Sequence, residues 1–298
     1  MPQPAATFNR LISRLESLAA LDAPADGLAA VIAKVQPPGP IQDASSGTWL
    51  GHPLHPVLVA LPLGAWTSAS VLDLLPGRRN TDSARRLIGL GLLASLPTAF
   101  AGASDWRDTA GPERRVGLVH AIGAWTSIAL YAASWKKRGH GTAGRLAGKA
   151  LALAGAATLT ATGYLGGHLS YGYGIGVDTN AFDTGPQDWT RVAGLNELAE
   201  GKLTQVHAAG VALLLIRRGG DVHALADRCS HRGGPLSDGE LQGDCVTCPW
   251  HGSAFSVIDG EVISGPATLP QPTYEVRLDG DDVLVRRAET RALRTNPV

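Results

Sequence analysis

The sequence predicts an α+β multidomain chain, a four-helix transmembrane bundle followed by an all-β domain, and three observations carry that prediction. Residues 51–180 hold four long apolar stretches with charge confined to the turns between them, the last hundred or so residues break into short β-patterned runs, and a Gly/Tyr/Asp-rich connector separates the two textures. The expected boundaries are two amphipathic helices over 1–44, a membrane domain over 45–170, the connector over 171–187, the β domain over 188–287 and a tail over 288–298.

Composition sets the outer bounds. The 298 residues carry 26 Lys+Arg against 26 Asp+Glu, are 44% apolar and 17% charged, and include only 3 Cys. Zero net charge argues against a nucleic-acid binder, three cysteines cannot build a disulfide framework, and so apolar a chain is not disordered. The charge content falls below the usual quarter. Residues 51–180 carry 12 basic and 6 acidic groups, nearly all within 76–86, 105–115 and 135–149, whereas 181–298 carry 11 and 16.

The apolar stretches at 57–75, 87–103, 116–134 and 150–169 each approach the roughly 20 residues that a helix needs to cross about 30 Å of hydrocarbon. They are rich in Ala, Gly, Ser and Thr, which lets helices approach closely in lipid. A soluble bundle would carry polar residues along one face of every helix, but here they sit between the helices. Gly64-Ala65-Trp66-Thr67-Ser68 recurs as Gly123-Ala124-Trp125-Thr126-Ser127, the mark of a duplicated hairpin.

With an even number of crossings, both termini and one end of every helix share a side, which collects His52, His55, Asp105, His120 and His168. Ionisable groups at membrane depth are costly and mark functional sites, and imidazole is a common ligand of metals and haem. These five form a candidate haem b, quinone or metal site, against the alternative of interfacial or hydrogen-bonded histidines. His52-Pro53-Leu54-His55-Pro56, Leu61-Pro62-Leu63-Gly64 and Gly166-Gly167-His168-Leu169, with Tyr171, Gly174, Gly176 and Val177, resemble a family of uncharacterised bacterial four-helix membrane proteins over about 45–180. That resemblance implies an integral membrane domain and no particular chemistry.

Phe8, Leu11, Ile12, Leu15 and Leu18, then Leu28, Val31, Ile32 and Val35, recur at helical spacing ahead of Pro37-Pro38-Gly39-Pro40. The two short helices they predict would lie in the membrane interface or pack on a partner or on another part of the chain. No uncharged h-region follows a basic start, so no signal peptide is expected.

In the last third, β-patterned runs at 203–208, 211–217, 222–226, 254–258, 273–278 and 283–287 alternate with Gly, Asp and Pro turns, and 229–252 reads as loops. Those loops carry Cys229-Ser230-His231 and, sixteen residues later, Cys248-Pro249-Trp250-His251-Gly252. One cysteine and one histidine per loop can clamp a 2Fe-2S cluster, both thiolates on one iron and both imidazoles on the other. A zinc finger orders its ligands as paired cysteines followed by paired histidines, although structural zinc stands as the competing occupant. On these residues, about 188–287 resemble the Rieske ferredoxins. The resemblance implies a three-sheet β fold, one 2Fe-2S cluster, single-electron transfer, Cys229 and Cys248 on the inner iron and His231 and His251 on the outer one. It also makes Gly265-Pro266-Ala267 a third covering loop. Redox-linked protonation of the outer imidazoles would couple proton to electron uptake.

Departures from the pattern carry information. Where the quinol-oxidising branch of that family bridges the cluster loops with a cysteine pair, this chain has Gly234 and Trp250, and no bridge can form. Where that branch places a serine and a tyrosine after the last ligand, this chain has Ser253 and Phe255. With one hydrogen bond to the cluster missing, the potential is expected in the lower half of the roughly −150 to +300 mV Rieske span. Cys245 is expected to be a partly buried free thiol.

Loops at 78–86 and 136–149 hold nine basic residues, against Arg107, Arg114 and Arg115 on the other side. The positive-inside rule then places the termini and the β domain outside the cytoplasm. Cytoplasmic cluster assembly, and the lack of a twin-arginine pattern before the fourth helix, argue for the opposite side. No second domain for dioxygen chemistry is visible in the 47 residues after His251. The chain therefore reads as a multi-pass protein of the bacterial cell membrane that carries single electrons, with lipid and a redox protein or quinone as partners. The alternatives are a quinol-linked oxidoreductase with haem or quinone in the bundle and a cluster-based redox sensor.

Overall fold

The computed structural model describes residues 4–288, so 289–298 of the expected tail lie outside the described residues. The chain divides into two compact units: residues up to Pro37 with Ser45–Gly47 and Pro53–Gly176, and Pro38–Ala44 with Thr48–His52 and Val177 onward. Seven α-helices lie among the described residues: α1 (Pro4–Ser17), α2 (Asp22–Val35), α3 (Pro40–Ser46), α4 (Leu54–Leu74), α5 (Arg78–Arg107), α6 (Gly111–Lys137) and α7 (Gly141–Tyr171).

In the first unit α4 packs chiefly on α5, and α6 on α7. Helices α4, α5 and α6 are long and apolar enough to cross a membrane. Helix α7 has the length, at 31 residues, but its Gly, Ala and Thr content and the charges of Arg145 and Lys149 dilute it. Large apolar side chains face outward, and small hydroxyl side chains are buried among the aromatic and aliphatic core. Leu74, Leu93 and Leu153 are exposed, whereas Ser95, Thr98, Ser127, Ser134 and Thr162 are buried. At its centre Trp66 stacks on Tyr131, with ring centroids 4.3 Å apart, and the Trp66 indole N–H donates to Ile88 O at 3.2 Å. Gly91 makes room for that indole, since a Cβ there would stand 2.3 Å from Nε1. Near one end of the bundle, buried Arg138 forms a two-pronged ion pair with Asp73, and Lys149 Nζ donates to Asp73 O at 2.7 Å.

The duplication is present in a register other than the one the repeated pentapeptide suggests. The contact of Trp66 with Gly91 recurs as Tyr131 with Gly155, and that of His55 with Gly102 as His120 with Gly166. Trp125, the pentapeptide counterpart of Trp66, is 54% exposed while Trp66 is 2% exposed. The pentapeptide therefore does not mark equivalent positions; burial of one aromatic ring per hairpin against a glycine does.

The N-terminal helices pack on the bundle, α1 against α6 and α2 against α5 and α6. Arg115 Nε and Nη2 donate to the two carboxylate oxygens of Asp22 at 2.6 and 2.7 Å, and Arg114 Nη1 donates to Asp26 at 2.7 Å.

The second unit is built on strands β1 (Thr190–Gly194), β2 (Leu203–Ala208), β3 (Val211–Arg218), β4 (Asp221–Ala226), β5 (Glu240–Gln242), β6 (Cys245–Thr247), β7 (Ala254–Ser256), β8 (Val262–Ser264), β9 (Thr273–Asp279) and β10 (Asp282–Arg287). They form two antiparallel sheets, ordered β1-β10-β9-β4-β3-β2 and β5-β6-β7-β8, rather than the three that the resemblance implies. The reason is β4, which pairs with β3 on one side and through Ala224 and Leu225 with β9 on the other, so that one sheet runs unbroken. The β5–β6 hairpin lies inside the stretch expected to be loops; each of its strands is three residues long, too short to show alternation. Leu213, Leu214, Leu215 and Ile216 of β3 are all fully buried. The two-residue period of a strand sends Leu213 and Leu215 into one core and Leu214 and Ile216 into a second. That second core contains Cys229, Cys248 and Phe255.

Candidate metal centre

Two loops of identical construction meet at this core. In the first, which follows β4, Cys229 N donates to Gly234 O at 2.9 Å and Gly233 N to Cys229 O at 2.9 Å; in the second, between β6 and β7, Cys248 N donates to Ser253 O at 2.8 Å and Gly252 N to Cys248 O at 3.1 Å. Each is thus closed by the cysteine's own backbone, with the fifth residue a glycine at φ +80°. That backbone is strained for any residue with a side chain, which is why glycine stands at both places.

This closure turns the backbone N–H groups of His231 and Arg232 onto Cys229 Sγ, and those of Trp250 and His251 onto Cys248 Sγ. The thiols hydrogen-bond each other. The Cys229 thiol, and then its two backbone donors, hold the Cys248 thiol below its ordinary range, and the same thiol–thiol bond with burial pushes Cys229 up. Both cysteines are buried, while the histidines reach further out, with ring centroids 5.2 Å apart and planes at 87°. The four side chains form a thiol pair and an imidazole pair. Among the described residues no three His, Cys, Asp or Glu side chains converge on a point that a single ion could occupy. A thiol pair beside an imidazole pair suits a binuclear cluster that takes one pair on each iron.

Around the pair, Ser253 Oγ accepts the N–H of Ala267 at 2.9 Å, which leaves its own O–H to donate elsewhere, and it ties the Gly265-Pro266-Ala267 loop to the second ligand loop. Phe255 is fully buried beside both cysteines. Gly234 lies against Trp250: a Cβ there would stand 2.9 Å from both Trp250 Cγ and Cys248 Sγ. The two positions at which a disulfide might have bridged the loops do face each other, and an indole against a bare backbone fills that space. Cys245 is a free, partly buried thiol on β6, and burial pushes its pKa up.

Several residues that hold the loops carry no motif. Gln271, 2% exposed, accepts Ser230 N–H at 2.7 Å and donates to Ala226 O and Arg228 O at 2.8 and 2.9 Å. Asp227 accepts from Ser237 N at 2.7 Å. From the connector, Thr179 Oγ1 donates to Cys229 O at 2.7 Å and Asn180 Nδ2 to Arg228 O at 2.8 Å. From the segment before α4, Asp43 Oδ1 accepts Gly265 N at 2.7 Å and Thr48 Oγ1 donates to Ala267 O at 3.0 Å.

The structure places the five groups expected to share a site in the bundle as follows. His52 is exposed and belongs to the second unit, His168 lies 3.5 Å from Glu16 with its ring edge-on to Tyr173, and Asp105 stands in the last turn of α5. Only His55 and His120 are placed alike.

Fold and site together define a small β domain that carries a binuclear iron–sulfur cluster, joined to a helical domain. Residues 188–275 match the Rieske [2Fe-2S] domain, and residues 51–179 match the predicted membrane protein family DUF2231. Ferredoxin CarAc of Metapseudomonas resinovorans is 37% identical over 100 residues, 33% of this chain and 94% of that protein. The biphenyl 2,3-dioxygenase ferredoxin component of Rhodococcus jostii (strain RHA1) is 36% identical over 96 residues, 32% and 90% respectively. The solved ferredoxin of carbazole 1,9a-dioxygenase from Nocardioides aromaticivorans IC177 is 31% identical, covering 34% of this chain and 100% of its own, with a TM-score of 0.33. The chain belongs to the Rieske [2Fe-2S] family through its C-terminal domain, and it is an electron-carrying Rieske protein.

Proposed function

We propose that this protein is a membrane-anchored carrier of single electrons, in which Cys229 and Cys248 hold the inner iron of a 2Fe-2S cluster and His231 and His251 the outer one. The observation that carries this reading is the pair of identically closed loops, each aiming two backbone N–H groups at its cysteine sulfur. Bound there, the cluster supplies one-electron chemistry. The chain does the rest: the backbone donors stabilise negative charge on sulfur, and Ser253 has a hydroxyl proton to offer. Trp250, 57% exposed and edge-on to His251, offers a redox protein a contact beside the outer imidazoles. Anchoring in lipid is supported by the apolar exterior of the helical unit.

Phe255 cannot supply the hydrogen bond that a tyrosine would, so the potential is expected in the lower half of the roughly −150 to +300 mV span. Phe255→Tyr is expected to raise it. A redox titration followed by electron paramagnetic resonance checks both values, and a wild-type potential in the upper half would refute the argument.

The charge pattern supports an extracytoplasmic Rieske domain. The loops at 78–86 and 136–149 hold nine Lys and Arg, against Arg107, Arg114 and Arg115 at the other end of the helices, and the positive-inside rule counts those basic residues. Fused after Val298, a reporter active only outside the cytoplasm is expected to be active. Activity instead from a cytoplasm-only reporter would reverse the assignment.

A further inference from the structure

We propose that His55 and His120 are the two axial ligands of a haem b held within the helical unit, an inference that stands on that unit alone and not on the cluster. Each imidazole is seated in the same way. His55 Nδ1 lies 2.9 Å from Thr98 O, and His120 Nδ1 lies 2.9 Å from Thr162 O. A carbonyl oxygen can only accept, so both Nδ1 atoms carry a proton, and in the neutral ring that leaves Nε2 with the lone pair a metal takes, the second contact typical of a metal-bound imidazole. One helical turn beyond each threonine stands a glycine that lets the ring lie against the helix. A Cβ would come within 2.8 Å of His55 Cε1 at Gly102 and 3.0 Å of His120 Cε1 at Gly166. The unit of histidine, threonine carbonyl and glycine therefore occurs once in each hairpin, and the two imidazoles are close enough to interact electrostatically.

The number of ligands selects the occupant. Among the described residues no third His, Cys, Asp or Glu joins the pair to make a site for a bare ion, which would draw three or four protein ligands. A porphyrin brings four nitrogens of its own and asks the protein for one or two axial groups. A quinone carbonyl would need a donor, and both ring N–H groups are already engaged by threonine carbonyls.

The test uses the full chain, made in a host supplied with a haem precursor and purified in detergent, with cluster resonance recorded on the same samples. The expected result is one haem per chain with a low-spin Soret and α-band spectrum. His55→Ala and His120→Ala should each lose the haem or turn it high-spin while the cluster signal persists, and His168→Ala should leave the spectrum unchanged. His55→Met, which keeps an axial ligand, should retain haem at a higher potential. The proposal is overturned by protein with a full cluster signal and no haem, by alanine variants that keep the wild-type haem spectrum, or by a stoichiometric metal other than haem iron that both alanine variants lose.

Discussion

Replacing Cys248 with alanine is expected to empty the cluster site outright: iron and acid-labile sulfide fall from two of each per chain to background, and the resonance of the reduced cluster disappears. The cause is geometric. Cys248 Sγ is one of two cysteine sulfurs in the buried core where the loops meet, and it is already biased toward the thiolate a metal takes. Cys245→Ala is expected to keep the full complement, because that thiol lies outside the thiol–thiol contact. Metal and sulfide analysis of anaerobically purified full-length protein reads both variants. A Cys248→Ala protein that still holds two irons, or a wild type that returns zinc, would remove the basis for the redox role.

The second large effect is expected far from the cluster. Arg138 is fully buried and both its terminal nitrogens engage Asp73, so Asp73→Ala leaves a guanidinium without its counter-charge. Breaking a buried pair from one side costs about 3–5 kcal/mol, because the remaining charge has lost its compensation, whereas removing both partners for apolar groups is often neutral. Asp73→Ala should therefore unfold at markedly lower temperature in detergent than wild type, and the double change Asp73→Leu with Arg138→Leu should recover most of the loss. Equal stability of the single variant and wild type would show that the pair is wetted by solvent and carries little.

Much of the site was legible along the chain because the chemistry imposes local spacing. A cysteine and a histidine must share each short loop, and a glycine must follow where the loop turns back, so Cys229, His231, Cys248, His251 and Gly252 announce themselves in two runs of a few residues. The apolar helices were legible for a similar reason: hydrocarbon admits few charges, so the charges mark the turns. The repeat was misread, because identity of five small and aromatic residues is cheaper to reach by chance than a shared packing contact. Trp66 and Trp125 look equivalent in sequence and differ completely in burial.

What periodicity and motif determined was therefore the identity of the long helices, the longer strands and the ligand loops, while three-residue strands such as β5 and β6 are too short to show alternation. Which distant segments hold the ligand loops in place was decided only by the folded chain. Asp43 reaches the covering loop from 222 residues away, Gln271 brackets Ser230 across 41, and Thr179 caps Cys229 across 50. The pairing of His55 with His120 likewise emerges only when two hairpins are laid side by side. The physical reason is that a hydrogen bond to a backbone atom leaves no signature in residue type. Any asparagine, glutamine, threonine or aspartate could make it, and only convergence in space selects the one that does.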